Sequence, residues 1–287
     1  MKKGLNYWSF PGGLTGEMNV VEAARAAKAA GYDGLELAVS PQGELTPETA
    51  DADVQALRTA VLGEGVEIVA LGSTLTWDYP LTSASAGSRT KAIELVKRGL
   101  EIAALLETDA FLVIPGAVDI FFNPAEPVVS YDVAMERLRR GLDELVPYAE
   151  KTRVAVALEN VWNRFLLSPL EVRDLVDSYA SDWLGVYFDT GNVMLTGYPE
   201  QWIRILGQRI RRVHLKDFSR AIGTAAGFVD LLEGDVQWPA VMAALHAIGY
   251  DGYCTAELIP GYQHAPAVRW QNASRAMDAI FGLGSDG

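Results

Sequence analysis

Arg153-Val154-Ala155-Val156-Ala157-Leu158-Glu159-Asn160 is a short β-prone apolar run that stops at a carboxylate and an amide. The same design returns three times downstream. Leu184 to Phe188 stops at Asp189-Thr190-Gly191-Asn192, Ile210 to Leu215 carries His214 and runs into Lys216-Asp217, and Tyr253 to Ala256 runs into Glu257. Helical spacing of apolar residues fills the intervals, from Pro169 to Ser178, near Pro199 to Leu206, from Trp238 to Ile248 and near Pro266 to Phe281.

The pattern extends toward the N-terminus. Strands are expected near Gly4 to Trp8, Gly34 to Ala38, Val66 to Leu71 and Ala110 to Ile114. Helices are expected from Asn19 to Ala30, Pro47 to Leu62, Ser88 to Leu106 and Tyr131 to Glu150. Asn19 and Thr46 read as N-caps and Gly31 as a C-cap. Eight strand–helix units at near-regular spacing, with no linker between them, predict an α/β fold: a single (β/α)8 TIM barrel occupying residues 1–287 as one domain. An open doubly wound sheet is the alternative, and no Gly-x-Gly-x-x-Gly follows the first strand to favour it.

Composition narrows the function. The 287 residues carry 24 Lys and Arg against 37 Asp and Glu, a net charge of −13, which opposes a general nucleic-acid surface. No apolar run is long enough for a membrane span. Cys254 is the sole cysteine, so no disulfide framework can form, and Met1-Lys2-Lys3 meets Gly4, Asn6 and Pro11 before any signal-type apolar stretch. The expectation is a cytoplasmic protein acting on a small molecule.

Active sites of such barrels lie at the carboxyl ends of the strands. There the last four strands present Glu159, Asp189, His214 and Glu257. One carboxylate after a strand is ordinarily a helix cap or surface charge, and one histidine in a strand is ordinarily a core residue. Four at equivalent points of consecutive units point elsewhere. Ionised carboxylates crowded at one mouth repel each other unless a cation joins them. Three oxygen donors and an imidazole suit one divalent metal ion, Mn²⁺ above all, with Mg²⁺, Co²⁺ or Zn²⁺ as further options.

With these residues in place, the chain resembles the xylose isomerase-like barrel superfamily, in particular its sugar-phosphate isomerases and epimerases, among them ketose 3-epimerases and L-xylulose-5-phosphate 3-epimerases. The resemblance spans the chain. It is most specific at the Glu159 strand, Asp189-Thr190-Gly191-Asn192, Val213-His214-Leu215-Lys216-Asp217, Gly234-Asp235-Val236-Gln237-Trp238 and Glu257. It implies that Glu159, Asp189, His214 and Glu257 bind the metal, that the two glutamates do the acid–base work, and that the protein is a homo-oligomer. Arg220, six residues after His214, matches an arginine that contacts substrate oxygens in ketose 3-epimerases, and Asn163-Arg164-Phe165 resembles a segment that follows their first glutamate. Asn192 stands where those enzymes place a substrate-binding histidine, and the Asp-x-Gly-Asn form looks more like the sugar-phosphate branch.

The expected activity is a metal-dependent isomerase or epimerase of a small sugar or sugar phosphate. A proton beside a carbonyl leaves to one glutamate, an enediolate forms, and the other glutamate returns a proton. Arg220, Lys216, Asn192, Glu36 and Trp162 are the expected substrate contacts. For Lys216 a surface ion pair is the alternative, and for Glu36 a cap or ion pair. Tyr7, Trp8 and Trp77 read as further mouth aromatics, His246 and His264 as structural or surface residues, and Ser219 to Gly234 as a lid or a static loop. An inosose dehydratase-like lyase on the same metal site is the competing activity. A DNA hydrolase and a non-catalytic sugar-binding protein are more remote.

Overall fold

The alternation of apolar runs closes into a ring. The computed structural model describes residues 1–120, 122–123 and 126–283. The strands are β1 (Lys2–Asn6), β2 (Gly34–Val39), β3 (Glu67–Ser73), β4 (Ala110–Val113), β5 (Ala155–Glu159), β6 (Leu184–Asp189), β7 (Ile210–Leu215), two short strands β8 (Asp217–Phe218) and β9 (Phe228–Val229), and β10 (Tyr253–Ala256). The barrel order is β1-β10-β7-β6-β5-β4-β3-β2, closed and parallel throughout, which disposes of the open-sheet alternative.

Local chemistry explains most element boundaries. The first outer helix, Val20–Ala29, starts where the Asn19 side chain accepts the Glu22 N–H, and it buries Val20, Ala23, Ala24 and Ala27 against the barrel. Such a cap is worth about 1 kcal/mol. Gly31, at φ +85°, takes the left-handed position that lets the chain turn into β2.

Three boundaries differ from expectation. The first strand ends at Asn6, because the Asn6 side chain accepts the Trp8 N–H at 2.7 Å and starts a 3-10 turn over Tyr7–Ser9. The second outer helix begins at Asp51 behind Ala50, and Thr46 does not cap it. There Thr49 Oγ1 accepts the Thr46 N–H at 2.8 Å, and Arg98 takes the carbonyls of Pro47 and Thr49, so residues 46–49 form a separate turn. Finally, the segment after β7 is neither open loop nor free lid.

That segment is a hairpin. β8 and β9 pair antiparallel, with Asp217 opposite Val229 and Phe218 opposite Phe228. The buried Asp217 carboxylate accepts N–H groups of Phe218 (2.9 Å), Leu232 (3.0 Å) and Val236 (3.2 Å) and the Trp238 indole N–H (3.1 Å). One side chain ties both ends of the excursion to the barrel rim.

Candidate active site and metal centre

Alternation along each strand selects what enters the barrel mouth. Glu159 is the last residue of β5 and Asp189 the last of β6. Asp189 and His214 are register partners, and Glu257 follows the final residue of β10. One donor atom from each of the four lies within 4.8 Å of all the others, and all four side chains are buried. His214 Nδ1 is 2.9 Å from Glu257 Oε2, 3.3 Å from Glu159 Oε1 and 3.9 Å from Asp189 Oδ2. The four residues singled out at the strand ends therefore form one cluster in space.

The opposite edge of the imidazole is held from below. His214 Nε2 lies 3.0 Å from Glu36 Oε2 and 3.1 Å from Glu36 Oε1. Glu36, wholly buried within β2, also accepts from Asn6 Nδ2 at 2.6 Å and from the Tyr187 hydroxyl. A carboxylate on one imidazole nitrogen fixes the ring so that the other faces a metal, which is the usual outer support of a metal-bound histidine.

Asp189 does two things. Its Oδ1 accepts the Asn192 N–H at 2.7 Å, capping the short helix Thr190–Val193, while Oδ2 turns to the cluster. Asp189 Oδ2 and Glu257 Oε2 are buried and have no hydrogen bond. Both are in ionic reach of the Lys216 ammonium, at 3.2 Å and 2.9 Å, a contact of charge without hydrogen-bond alignment. Unfilled carboxylate lone pairs beside an imidazole nitrogen whose far edge is anchored fit a divalent cation.

The charges are unevenly settled. Burial pushes the Glu159 carboxyl up to about 7, against the opposing hydrogen bond from His214. Burial would raise Glu257 too, but Lys216 and His214 outweigh it and hold that carboxyl down at about 2. Burial raises Asp189, against the pull of Lys216. Burial would lower His214, yet Glu36, Glu257 and Glu159 keep it well above the ordinary imidazole value. Two glutamates in one pocket are thus driven apart, one toward the acid form and one toward the base.

Glu159 and Glu257 open into a cavity of about 500 Å³, which Lys216, Asn192 and Trp162 also line. The Trp162 indole N–H donates to the Asn192 carbonyl at 3.0 Å, and the Asn192 amide donates to the Asn160 carbonyl at 2.9 Å. Two expected substrate contacts lie elsewhere. Glu36 sits beneath the cluster rather than in the cavity wall. Arg220 turns away from it, donating to the carbonyls of Met194 (3.0 Å) and Gly197 (2.7 Å) with its guanidinium 4.6 Å from the Tyr198 ring. These loop carbonyls compete for the guanidinium.

Trp8 and Trp77 line the cavity, whereas Tyr7 is buried with its hydroxyl on the Met18 carbonyl. His246 and His264 do not line it and are exposed. Phe228, Phe122 and Asp78 are wall residues that sequence reasoning missed. Phe228 had a usable signal, a lone aromatic among the small residues before the Gly234-Asp235 pair. It packs 5.0 Å from Trp162, and the Lys216 ammonium lies 5.3 Å from its ring.

Comparisons with known proteins agree with this architecture. A family model described as a xylose isomerase-like TIM barrel matches residues 24–279. The fructoselysine 3-epimerase of Escherichia coli O157:H7 is 22% identical over 276 residues, 91% of this chain and 93% of that protein. The uncharacterized protein MJ1311 of Methanocaldococcus jannaschii is 27% identical over 186 residues, 62% of this chain and 60% of that one. Among solved structures, D-psicose 3-epimerase from Clostridium cellulolyticum H10, with D-tagatose, superposes with a TM-score of 0.80 at 18% identity, covering 99% of each chain, a likeness of fold.

Proposed function

The chain belongs to the xylose isomerase-like TIM barrel family, and from that premise we propose that it is a divalent-metal-dependent sugar epimerase in which Glu159 and Glu257 are the two proton carriers. The observation that carries the reading is the cluster itself. Three carboxylates and His214 Nδ1 converge at the floor of a cavity, with two carboxylate oxygens lacking any hydrogen bond. The likeness to the fructoselysine 3-epimerase and the fold of the D-psicose 3-epimerase point the same way.

Glu159, Asp189, His214 and Glu257 would hold the ion, Mn²⁺ by preference, which when bound supplies a Lewis acid for a substrate carbonyl oxygen. The remaining chemistry belongs to side chains. Glu257, kept ionised by Lys216 and His214, accepts the proton from the carbon beside the carbonyl. Glu159, pushed toward its acid form by burial, donates a proton to the same carbon. β5 and β10 are separated by β6 and β7 around the ring, so the two carboxyls approach from different sides. Removal on one face and return on the other inverts the carbon, which favours epimerisation over transfer to the adjacent carbon. The aromatic side chains of Trp162 and Phe228 exclude water from the planar intermediate.

Incubation of the Mn²⁺-loaded protein in D₂O with ketoses, ketose phosphates and inosose, followed by NMR, tests the reading. Deuterium entering beside the carbonyl with inversion is expected, and Glu159→Gln and Glu257→Gln are each expected to lower the rate by about 10²-fold or more. Loss of hydroxide from inosose would assign the dehydratase chemistry instead. No exchange with any sugar would reject both.

A further inference from the structure

The cavity is divided by strand order. Its chemical side comes from the contiguous strands β5, β6, β7 and β10, which supply Glu159, Asn192, Lys216 and Glu257. The facing side comes from the contiguous strands β1 to β4 and the loops that follow them. Of the eight lining residues on that side, six are apolar (Trp8, Leu14, Pro41, Trp77, Ile114 and Phe122), one is Thr74 and one is Asp78.

We infer that this half of the cavity receives an uncharged apolar or aromatic substituent, so that the substrate is a substituted, unphosphorylated keto sugar. The inference rests on the epimerase reading and names its substrate class. It runs against the sugar-phosphate expectation raised by Asn192.

Three observations exclude a phosphate there. Among the described residues, the β1–β4 side contributes no Lys, Arg or His to the cavity, and its one charged residue is the carboxylate of Asp78. Backbone donors on that side are already used, with the Trp8 N–H on Asn6 Oδ1 at 2.7 Å and the Leu75 N–H on Ser73 Oγ at 3.2 Å. The cavity's one cation among the described residues, Lys216, stands at the opposite end, against Asp189 and Glu257, where the reacting carbon must sit. A phosphate on a terminal carbon would leave water for an apolar wall and an acid, with nothing to pair it.

Size and rigidity favour a substituent. A twelve-heavy-atom hexose, even granted the ~30 Å³ liquid share of a water molecule for each atom, fills about 360 Å³, less than the 500 Å³ of the cavity. The wall is built to stay. A Cβ at Gly72 on β3 would lie 3.1 Å from Trp8 Cη2, so the absence of a side chain there seats the Trp8 ring, and Trp77 and Phe122 pack edge to face at 5.0 Å and 73°.

Calorimetric binding of four probes decides the matter: D-fructose, D-fructose 6-phosphate, 1-O-benzyl-D-fructose and 6-O-benzyl-D-fructose, at fixed ionic strength, with deuterium exchange measured alongside. At least one benzyl ether is expected to bind tenfold or more tighter than fructose, and the phosphate ester no tighter than fructose. Trp77→Ala is expected to bring the benzyl-to-fructose ratio down toward one. Tighter binding of fructose 6-phosphate than of either ether, or equal binding of all four, overturns the inference whether or not exchange occurs. A benzyl preference without exchange on any probe supports it and rejects the epimerase reading alone.

Discussion

His214 and Glu36 face each other at 3.0 Å in the interior of the barrel, both without solvent exposure, and on its other edge the same imidazole meets the three carboxylates of the cluster. The proposed metal centre therefore stands on a buried ion-paired support drawn from the far side of the ring, where β2 lies.

Glu36→Gln keeps the shape of that support and removes its charge. Metal affinity is expected to fall roughly 10- to 100-fold, the usual loss when an outer partner of a ligating histidine is changed. Titration with Mn²⁺ in competition with a chelator measures it, and circular dichroism checks the fold. An affinity within twofold of the parent would detach Glu36 from the site.

Glu159 makes the metal-free protein sensitive to pH. Its folded pKa, about 7, lies above the ordinary value of 4.5, so the folded state holds this proton more firmly than the unfolded chain. The resulting stabilisation is complete below about 4.5 and is lost as pH rises to about 7. Glu159→Gln carries no such proton. In chelator, the stability of the variant relative to the parent is expected to increase by up to ~3 kcal/mol between about pH 4.5 and 7 and to stay level above that. Denaturant unfolding across this range would show the widening gap. A pH-independent difference between the two proteins would contradict the burial of that charge.

Asp217 governs the hairpin. Asp217→Ala strips the Leu232, Val236 and Trp238 N–H groups of their acceptor, and roughly 3 kcal/mol of destabilisation is expected from donors left buried without partners. Limited proteolysis is expected to cut between residues 219 and 234 in the variant and not in the parent. Equal protease resistance would mean that pairing of β8 with β9 alone fixes the segment.

The strand-end carboxylates were legible because an acid that interrupts an apolar strand has no ordinary reason to be there. Glu159, Asp189 and Glu257 stood out on those grounds, and barrel closure brought them together. The role of Glu36 was hidden because its partners Asn6, Tyr187 and His214 lie 30, 151 and 178 positions away, and only the closed ring makes them neighbours. Spacing from His214 located Arg220 along the chain but said nothing of the Met194 and Gly197 carbonyls that bind it. Thr46 satisfied the rule for a cap, yet Thr49 and Arg98 bonded the same backbone first. Local chemistry decided wherever the competing group was near in sequence, and was silent wherever it was distant.

The division of the cavity by strand order separates two kinds of inheritance. Substitutions in the loops after β1 to β4 can change which sugar is admitted, while the residues that handle the proton, carried on β5 to β10, pass unaltered to descendants. A lineage built on this barrel can diversify its diet without reinventing its chemistry, and paralogues should differ most at Leu14, Pro41, Trp77, Asp78 and Phe122.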